Sequence, residues 1–301
     1  MPEQARDHVI LVTGVNGQVG FELLRTLQGL GRVVAADRAM LDLGSSDAIR
    51  RCIREVRPTM IVNPAAYTAV DQAETEVAAA RQINADAPAT LAEEAKRVGA
   101  LLVHYSTDYV FDGMLDRPYR EDDLTHPCSG YGATKLEGEQ AIRASGCAHL
   151  IFRTSWVYGL RGKNFLLTML KLAEQRSELR VVADQFGAPT WAVTLAALTS
   201  HVLAQGASAA EAWPEWAERV SGTYHLSATG STSWAGFAEA IFAHANLPSP
   251  PRVTPISTAE YPVPAIRPAN SRLDCAKFAA TFGLVPPNWR EALELCLGQA
   301  R

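Results

Sequence analysis

Residues 8–24 read HVILVTGVNGQVGFELL, and this stretch decides the fold. The run His8–Thr13 is apolar almost without interruption, as expected of a parallel strand covered on both faces. Phe21, Leu23, Leu24, Leu27 and Leu30 then fall on one broad helical stripe. Between strand and helix stand Gly14, Gly17 and Gly20 in a G-x-x-G-x-x-G spacing. Glycine has no Cβ, so the chain turns sharply there and lets another group approach its backbone. The N-terminus of the following helix offers unpaired N–H groups and the positive end of the helix dipole. Together these features predict a site for a dinucleotide pyrophosphate. A second apolar run, Arg32–Ala36, ends at Asp37, where a carboxylate meets the adenosine ribose hydroxyls. The residue types leave three readings of the adjacent Arg38: it pairs a 2′-phosphate, stacks on adenine, or is a solvated surface charge.

Further strands are expected at Thr59–Asn63, Leu101–Tyr105 and His149–Arg153. Helical patterns separate them: Ile49, Ile53 and Val56 follow an i, i+4, i+7 spacing, and Glu74–Val98 is rich in Ala, Glu and Leu, with Pro88 marking a break or kink. Strand and helix alternating in this way predict an α/β fold built on a doubly wound parallel sheet over residues 1–155. Beyond residue 155 the pattern loosens. A helix is expected over Asn164–Gln175, a strand near Arg180–Ala183 and a helix over Val193–Ala204. Gln205–Glu218 reads as a surface helix or insertion, and residues 246–268, with seven prolines, as largely irregular chain. Residues 156–301 are therefore expected to form mainly a smaller α/β substrate lobe, with about 178–204 returning to the first domain.

The segment SGYGATKLEGEQAI places Tyr131 and Lys135 four residues apart on one face of a helix. A free phenol is a poor acid near neutrality. A nearby ammonium stabilises the phenolate and is expected to lower the pKa of Tyr131. Such a pair can protonate a carbonyl oxygen while hydride reaches its carbon. Upstream, strand Leu101–Tyr105 runs into Ser106-Thr107-Asp108, and ligands of open α/β sheets bind beyond the carboxyl ends of strands. Thr107 is thus placed to offer a hydroxyl to the substrate oxygen; Ser106 is either the alternative donor or a holder of the loop.

The 28 Lys and Arg against 32 Asp and Glu give a net charge of −4, which supports no nucleic-acid partner. No apolar run is long enough for a membrane span, and the N-terminus lacks the pattern of a secretory signal. Five widely spaced cysteines, with no C-x-x-C, predict reduced thiols in a cytoplasmic protein and neither a disulfide framework nor a zinc ribbon. Cys128 is the one near a motif.

T-G-x-x-G-x-x-G at 13–20, STDYVFDG at 106–113 and YGATK at 131–135 together resemble the extended short-chain dehydrogenase/reductases that act on nucleotide sugars. Within them, VNPAAYTAVDQAE, RTSWVYG, VVADQFGAPT and RPANSRLD are similar to the dTDP-4-dehydrorhamnose reductase family, and the matching stretches span nearly the whole chain. The resemblance implies a Rossmann domain with a C-terminal substrate lobe, a dTDP-sugar substrate, and NADPH as cofactor with NADH also accepted. It assigns Gly17, Gln18 and Val19, with Gly14, to the pyrophosphate, Asp37 to the ribose, Asp42 and Leu43 to the adenine side, and Ala66, Tyr67 and Thr68 to the cofactor. It assigns Tyr131 and Lys135 to catalysis and the nicotinamide ribose, and Thr107, Asp108 and Trp156 to the sugar. Arg267 and Arg272 are candidates for the diphosphate or for structural ion pairs. Relatives described as metal-assisted dimers allow a homodimer here, but TWAVTLAAL lacks the glutamate such a metal needs, so no metal is expected. Pro64 stands where many relatives carry alanine and is expected to stiffen that loop.

Overall fold

The computed structural model describes residues 8–298. Its first half runs β1 (Val9–Val12), α1 (Gln18–Thr26), β2 (Arg32–Ala35), α2 (Ser46–Val56), β3 (Met60–Asn63), α3 (Val77–Arg81), α4 (Ala87–Val98), β4 (Leu101–Thr107), α5 (Gly130–Ser145) and β5 (His149–Thr154). The second half continues with β6 (Val157–Tyr158), α6 (Phe165–Ala173), β7 (Glu178–Val182), β8 (Phe186–Gly187), β9 (Thr190–Trp191), α7 (Ala192–Ala207), α8 (Trp213–Arg219) and β10 (Gly222–His225). It closes with β11 (Thr232–Ser233), α9 (Trp234–His244), β12 (Arg252–Ile256), α10 (Ala276–Phe282) and α11 (Trp289–Gly298).

The central sheet has six strands in the order β10-β5-β4-β3-β1-β2, all parallel. Alternate residues of each strand feed opposite cores. Ile10, Val12, Val62, Val103 and Phe152 pack under α1, α7, α8 and α10, while Leu11, Ile61, Leu102 and Ile151 pack under α2 and α4. The chain winds one way from β1 to β2 and the other way from β3 onward, so a topological switch lies between β1 and β3. The two loops leaving these strands nearly touch: a Cβ on Gly14 would lie 2.9 Å from Ala65 Cα.

The α3–α4 segment is continuous through a π-helical turn at Gln82–Asp86, so Pro88 does not end the helix. Pro88 has no N–H to give the Asn84 carbonyl. That carbonyl packs against Gly138 of α5, where a Cβ would overlap it. The lack of a Cβ at Gly138 thereby lets α5 approach the Asn84 carbonyl at backbone distance.

A second core holds α6, α9, α11, β7 and β9, with Phe237, Ile241, Leu293 and Trp289 fully or almost fully buried. Residues 178–204 divide between the two cores. β7 pairs with β12 in a small parallel sheet of the second core and does not return to the large sheet. Helix α7 packs on the first, where Thr26 Oγ1 donates to the Ala196 carbonyl at 3.1 Å. The proline-rich stretch 246–268 is largely irregular as expected, with one short strand, β12, which tolerates Pro255 because it is paired only with β7. The stretch 205–218 is no mere surface insertion: Trp216 is 3% exposed and belongs to the first core, wedged against Gly206. Trp216→Ala should therefore lower unfolding free energy by about 3–5 kcal/mol, the range for a buried Trp truncation. Denaturant melting checks this; a loss below about 0.5 kcal/mol would mark a surface residue instead.

Candidate active site

Gly14 adopts φ +57°, a left-handed conformation that places the turn against Ala65. A Cβ on Gly20 would overlap the Gly14 carbonyl, so helix and turn pack at backbone distance. Helix α1 starts at Gln18 with no side chain capping its first turn. Its N-terminal N–H groups are thus left for an anion, and the cradle fits a pyrophosphate. The Gln18 side chain is committed elsewhere: its Oε1 accepts from Asn164 Nδ2 at 2.8 Å, tying α1 to the second lobe. Val19 packs on the first core. Gln18 and Val19 therefore face the cradle through their backbone.

Asp37 lies at the end of β2, exposed, with Oδ1 accepting the N–H groups of Ala39 at 3.0 Å and Met40 at 2.9 Å. These bonds hold the turn and leave Oδ2 open. Arg38 is exposed beside it. Asp42 accepts the Gly44 N–H at 3.0 Å, and Leu43 packs on the α2–α4 core. After β3, the Ala66-Tyr67-Thr68 loop is pinned by Asn84. Its Oδ1 accepts the Tyr67 N–H at 2.9 Å, and its Nδ2 donates to the Tyr67 carbonyl and to Thr134 Oγ1 of α5. Asn84 thus couples the cofactor loop to the helix of Tyr131. Its only sequence signal was the Pro88 four residues on.

Helix α5 begins beneath this loop. The Ser129 hydroxyl caps it by accepting from the Gly132 N–H at 3.1 Å. Tyr131 stands in the first turn, edge-on to Tyr109 with ring centroids 5.6 Å apart. Thr107, at the end of β4, is 5% exposed and reaches the Tyr131 phenol. Its hydroxyl donates to Asp108 Oδ1 at 2.9 Å and accepts the Tyr109 N–H at 3.2 Å. The structure thus brings Thr107, Asp108 and Tyr131 together at the carboxyl edge of the sheet.

Lys135 lies one turn deeper and is 1% exposed. Its Nζ donates to the Tyr105 carbonyl at 2.6 Å and stands 3.1 Å from His104 Nε2. Burial pushes its pKa down to about 8, opposed by the charge of Glu139. The expected lowering of the Tyr131 pKa is not found. Burial pushes that phenol up to about 12, against the hydrogen bond with Thr107, because Lys135 spends its hydrogen bonds on β4. Ser106 points away from this group: its hydroxyl donates to Glu139 Oε1 at 2.6 Å. Arg153 holds the same carboxylate with a bidentate pair at 2.9 and 2.7 Å, so Ser106 is the loop holder.

Trp156 has φ +48°, a strained conformation for a bulky residue. It stacks on Trp234, centroids 3.5 Å apart and planes 8° off parallel, over Gly187, where a Cβ would come within 2.5 Å of the indole. Its ring partner is thus Trp234 and not Tyr131. Arg267 is 24% exposed, donates to Asp71 Oδ2 at 2.9 Å and reaches Tyr109. Arg272 is spent on Asn270 Oδ1 and the Asp116 carbonyl, a structural role. The Cys128 thiol is pushed up by burial, so it is no activated nucleophile. Among the described residues no group of three potential metal ligands is gathered.

A doubly wound parallel sheet, a glycine cradle at its switch point, and a Thr–Tyr–Lys set after β4 and on α5 define the extended short-chain dehydrogenase/reductase class. The model of the RmlD substrate binding domain family matches residues 8–301. The chain is 50% identical over 296 residues to a dTDP-4-dehydrorhamnose reductase of Burkholderia thailandensis, covering 96% of this chain and 97% of that one. It is 43% identical over 298 residues to the Escherichia coli K12 protein of that name, with the same shares covered. Among solved structures, a Bacillus anthracis dTDP-4-dehydrorhamnose reductase in complex with NADP superposes with a TM-score of 0.89 at 36% identity, covering 97% of this chain and 99% of that one. The chain belongs to the dTDP-4-dehydrorhamnose reductase family.

Asp108 gives the site a pH signature. Burial raises its carboxyl from the ordinary 3.8 to about 6, opposed by bonds from Ser271, Thr107 and backbone N–H groups, while Oδ2 has no partner. Between these values the folded protein keeps a proton that the unfolded chain has released. Stability therefore falls as pH rises from about 4 to 6, by on the order of 2–3 kcal/mol in all. Asp108→Asn should be more stable than the parent at pH 7.5 and lose that slope. A variant less stable at pH 7.5 in denaturant melts would contradict it.

Proposed function

We propose that the protein reduces the C4 keto group of dTDP-4-dehydrorhamnose to give dTDP-L-rhamnose, with NADPH as the preferred cofactor. The observation that carries this reading is the meeting of Thr107 and Tyr131 beyond β4, one helical turn above a buried Lys135. NADPH, when bound, supplies the hydride. The α1 N-terminus and Gly14–Gly20 turn hold its pyrophosphate through backbone N–H groups, and the open Oδ2 of Asp37 meets the adenosine ribose. Asp42, Leu43 and the Ala66-Tyr67-Thr68 loop border the rest of the cofactor.

Tyr131 donates a proton to the C4 oxygen as charge develops on it. A phenol held near 12 keeps its proton throughout the physiological range, the state required of an acid awaiting its substrate. Thr107 adds a hydrogen bond to the same oxygen from a buried position, where such a bond is strongest. Lys135 orients the nicotinamide ribose. Asp108 and Trp156 border the sugar, and Arg267, the more available of the two candidate arginines, faces the diphosphate. The division of labour follows the two cores: the large sheet with α7, α8 and α10 serves the cofactor, and the second core serves the nucleotide sugar. Five free cysteines and the absence of a helix long and apolar enough to cross a membrane, among the described residues, support a cytoplasmic location. The net charge of −4 argues against a nucleic-acid partner.

Tyr131→Phe is expected to bind NADPH as the parent does and to lose about 10²–10⁴-fold in kcat at saturating keto-sugar, the usual worth of general acid assistance. NADPH oxidation with enzymatically prepared dTDP-4-dehydrorhamnose tests this, and near-parental kcat would remove Tyr131 from the acid role. Arg38→Ala separates the cofactor readings. A rise in KM for NADPH that exceeds the rise for NADH, with kcat little changed, is expected of a residue that reads the 2′-phosphate. An equal effect on both cofactors would assign Arg38 to adenine stacking.

A further inference from the structure

Lys135 ends one branch of a buried polar chain that reaches back to the glycine-rich turn. Its Nζ stands 3.1 Å from His104 Nε2, and His104 Nδ1 stands 3.1 Å from Asn63 Nδ2. Thr13, the residue before Gly14, donates its hydroxyl to Asn63 Oδ1 at 2.6 Å. None of the four side-chain bearers is more than 1% exposed. β3, β4 and α5 each contribute one group, and the turn after β1 contributes Thr13. Thr13, Asn63 and His104 have no part in the reaction steps described above.

Counting donors and acceptors shows what it can do. Burial and the charge of Lys135 hold the His104 imidazole well below its ordinary pKa, so it is neutral and carries one N–H. With Lys135 as an ammonium, Nζ–H must donate to Nε2. The ring proton then sits on Nδ1 and donates to the Asn63 carbonyl oxygen, and the Asn63 amide N–H donates to Thr13 Oγ1. With Lys135 as an amine, Nε2–H donates to Nζ, Nδ1 accepts from the Asn63 amide, and Thr13 donates to Asn63 Oδ1. The second ordering is the one in which the Asn63 amide is oriented in this structure. A half-turn of that amide converts one to the other, and in both each link of the chain pairs one donor with one acceptor.

We propose that His104 is a positioning residue that holds Lys135 in both of its charge states by changing tautomer. The inference rests on the reading of Lys135 as the lysine of the active site. The balance is simple: on going from ammonium to amine, Lys135 releases one proton to solvent, while the imidazole exchanges Nδ1–H for Nε2–H and gains or loses none. His104 faces Lys135 from β4, and Glu139 and Tyr131 stand one turn to either side of it on α5. From β3 and the turn after β1 only the uncharged Asn63 and Thr13 join the chain. The arrangement lets a lysine with a pKa of about 8 titrate in place, its contact with His104 kept in either state. It also links the charge of Lys135 to a residue that adjoins the cofactor turn.

Nitrogen-15 NMR of the whole protein reads the tautomer directly and needs no turnover. Two-bond proton–nitrogen spectra are recorded from about pH 6 to pH 10, with the His104 signals identified by their loss in His104→Gln. The proposal predicts Nδ1–H at low pH and Nε2–H at high pH, with a midpoint that tracks the Lys135 ζ-nitrogen. In Lys135→Met the tautomer should be fixed across the range. One tautomer throughout in the parent, or a switch that persists in Lys135→Met, would overturn it.

Kinetics supply a second arm. His104→Leu, which neither donates nor accepts, should lower kcat by roughly 10–100-fold with KM for the keto-sugar nearly unchanged. His104→Gln, whose amide can do either, should recover most of it. Equal kcat in both variants and the parent would also overturn the proposal. If the parent reduces no keto-sugar at all, the functional reading fails, and the NMR arm still decides the role of His104.

Discussion

A charged group taken under a β-sheet must be given partners, because the loss of water costs several kcal/mol per ion before any pairing. Helix α5 carries two such groups one turn apart, Lys135 and Glu139, both essentially without exposure. Polar residues of β3, β4 and β5 answer them: His104, itself met by Asn63, stands against Lys135, and Ser106 and Arg153 hold Glu139. The register of three parallel strands against one helix is thereby set by hydrogen bonds with direction as well as by apolar packing. Thr107 and Tyr131 sit just beyond this layer, and their meeting follows from it. A slip of β4 by one residue would turn His104 and Ser106 away from α5 and leave two buried charges unanswered.

The local parts of this arrangement were legible in the sequence. The glycine turn, the strand–helix alternation and the Tyr131/Lys135 spacing are each written within a few residues. What escaped is written across long separations. Strand β10 is only GTYH, yet it completes the sheet by pairing with β5, some seventy residues earlier. Gln205–Glu218, rich in Ala, Trp and acid, read as a surface helix or insertion; only the packing of α8 against α7 and Gly206 makes Trp216 core. Strand β12 is a short piece of a stretch otherwise as irregular as its prolines imply; paired with β7 alone, it tolerates the missing N–H of Pro255.

The site shows the same division. Residue types named Tyr131 and Lys135 as a pair, and helical periodicity put them on one face. Periodicity does not say which polar atoms the lysine meets first, and here they are His104 and the Tyr105 carbonyl. The phenol consequently feels its burial most and keeps its proton, which suits a reductase. The resemblance set Trp156 beside the sugar, but its left-handed backbone and its seat between Trp234 and Gly187 were not readable from sequence. Strain held by such packing is the mark of a residue whose place matters more than its comfort.

The central claim is that this chain directs a hydride to C4 of a dTDP-linked keto-sugar and a proton to its oxygen. The fate of the cofactor's hydrogen tests it most directly. The protein is incubated with dTDP-4-dehydrorhamnose and NADPH carrying deuterium at both positions of the nicotinamide C4, and the sugar is examined by NMR. The account predicts one NADPH oxidised per sugar reduced and dTDP-L-rhamnose with deuterium at sugar C4. Rearranged keto-sugar without net NADPH consumption, or a reduced sugar lacking deuterium at C4, would contradict it.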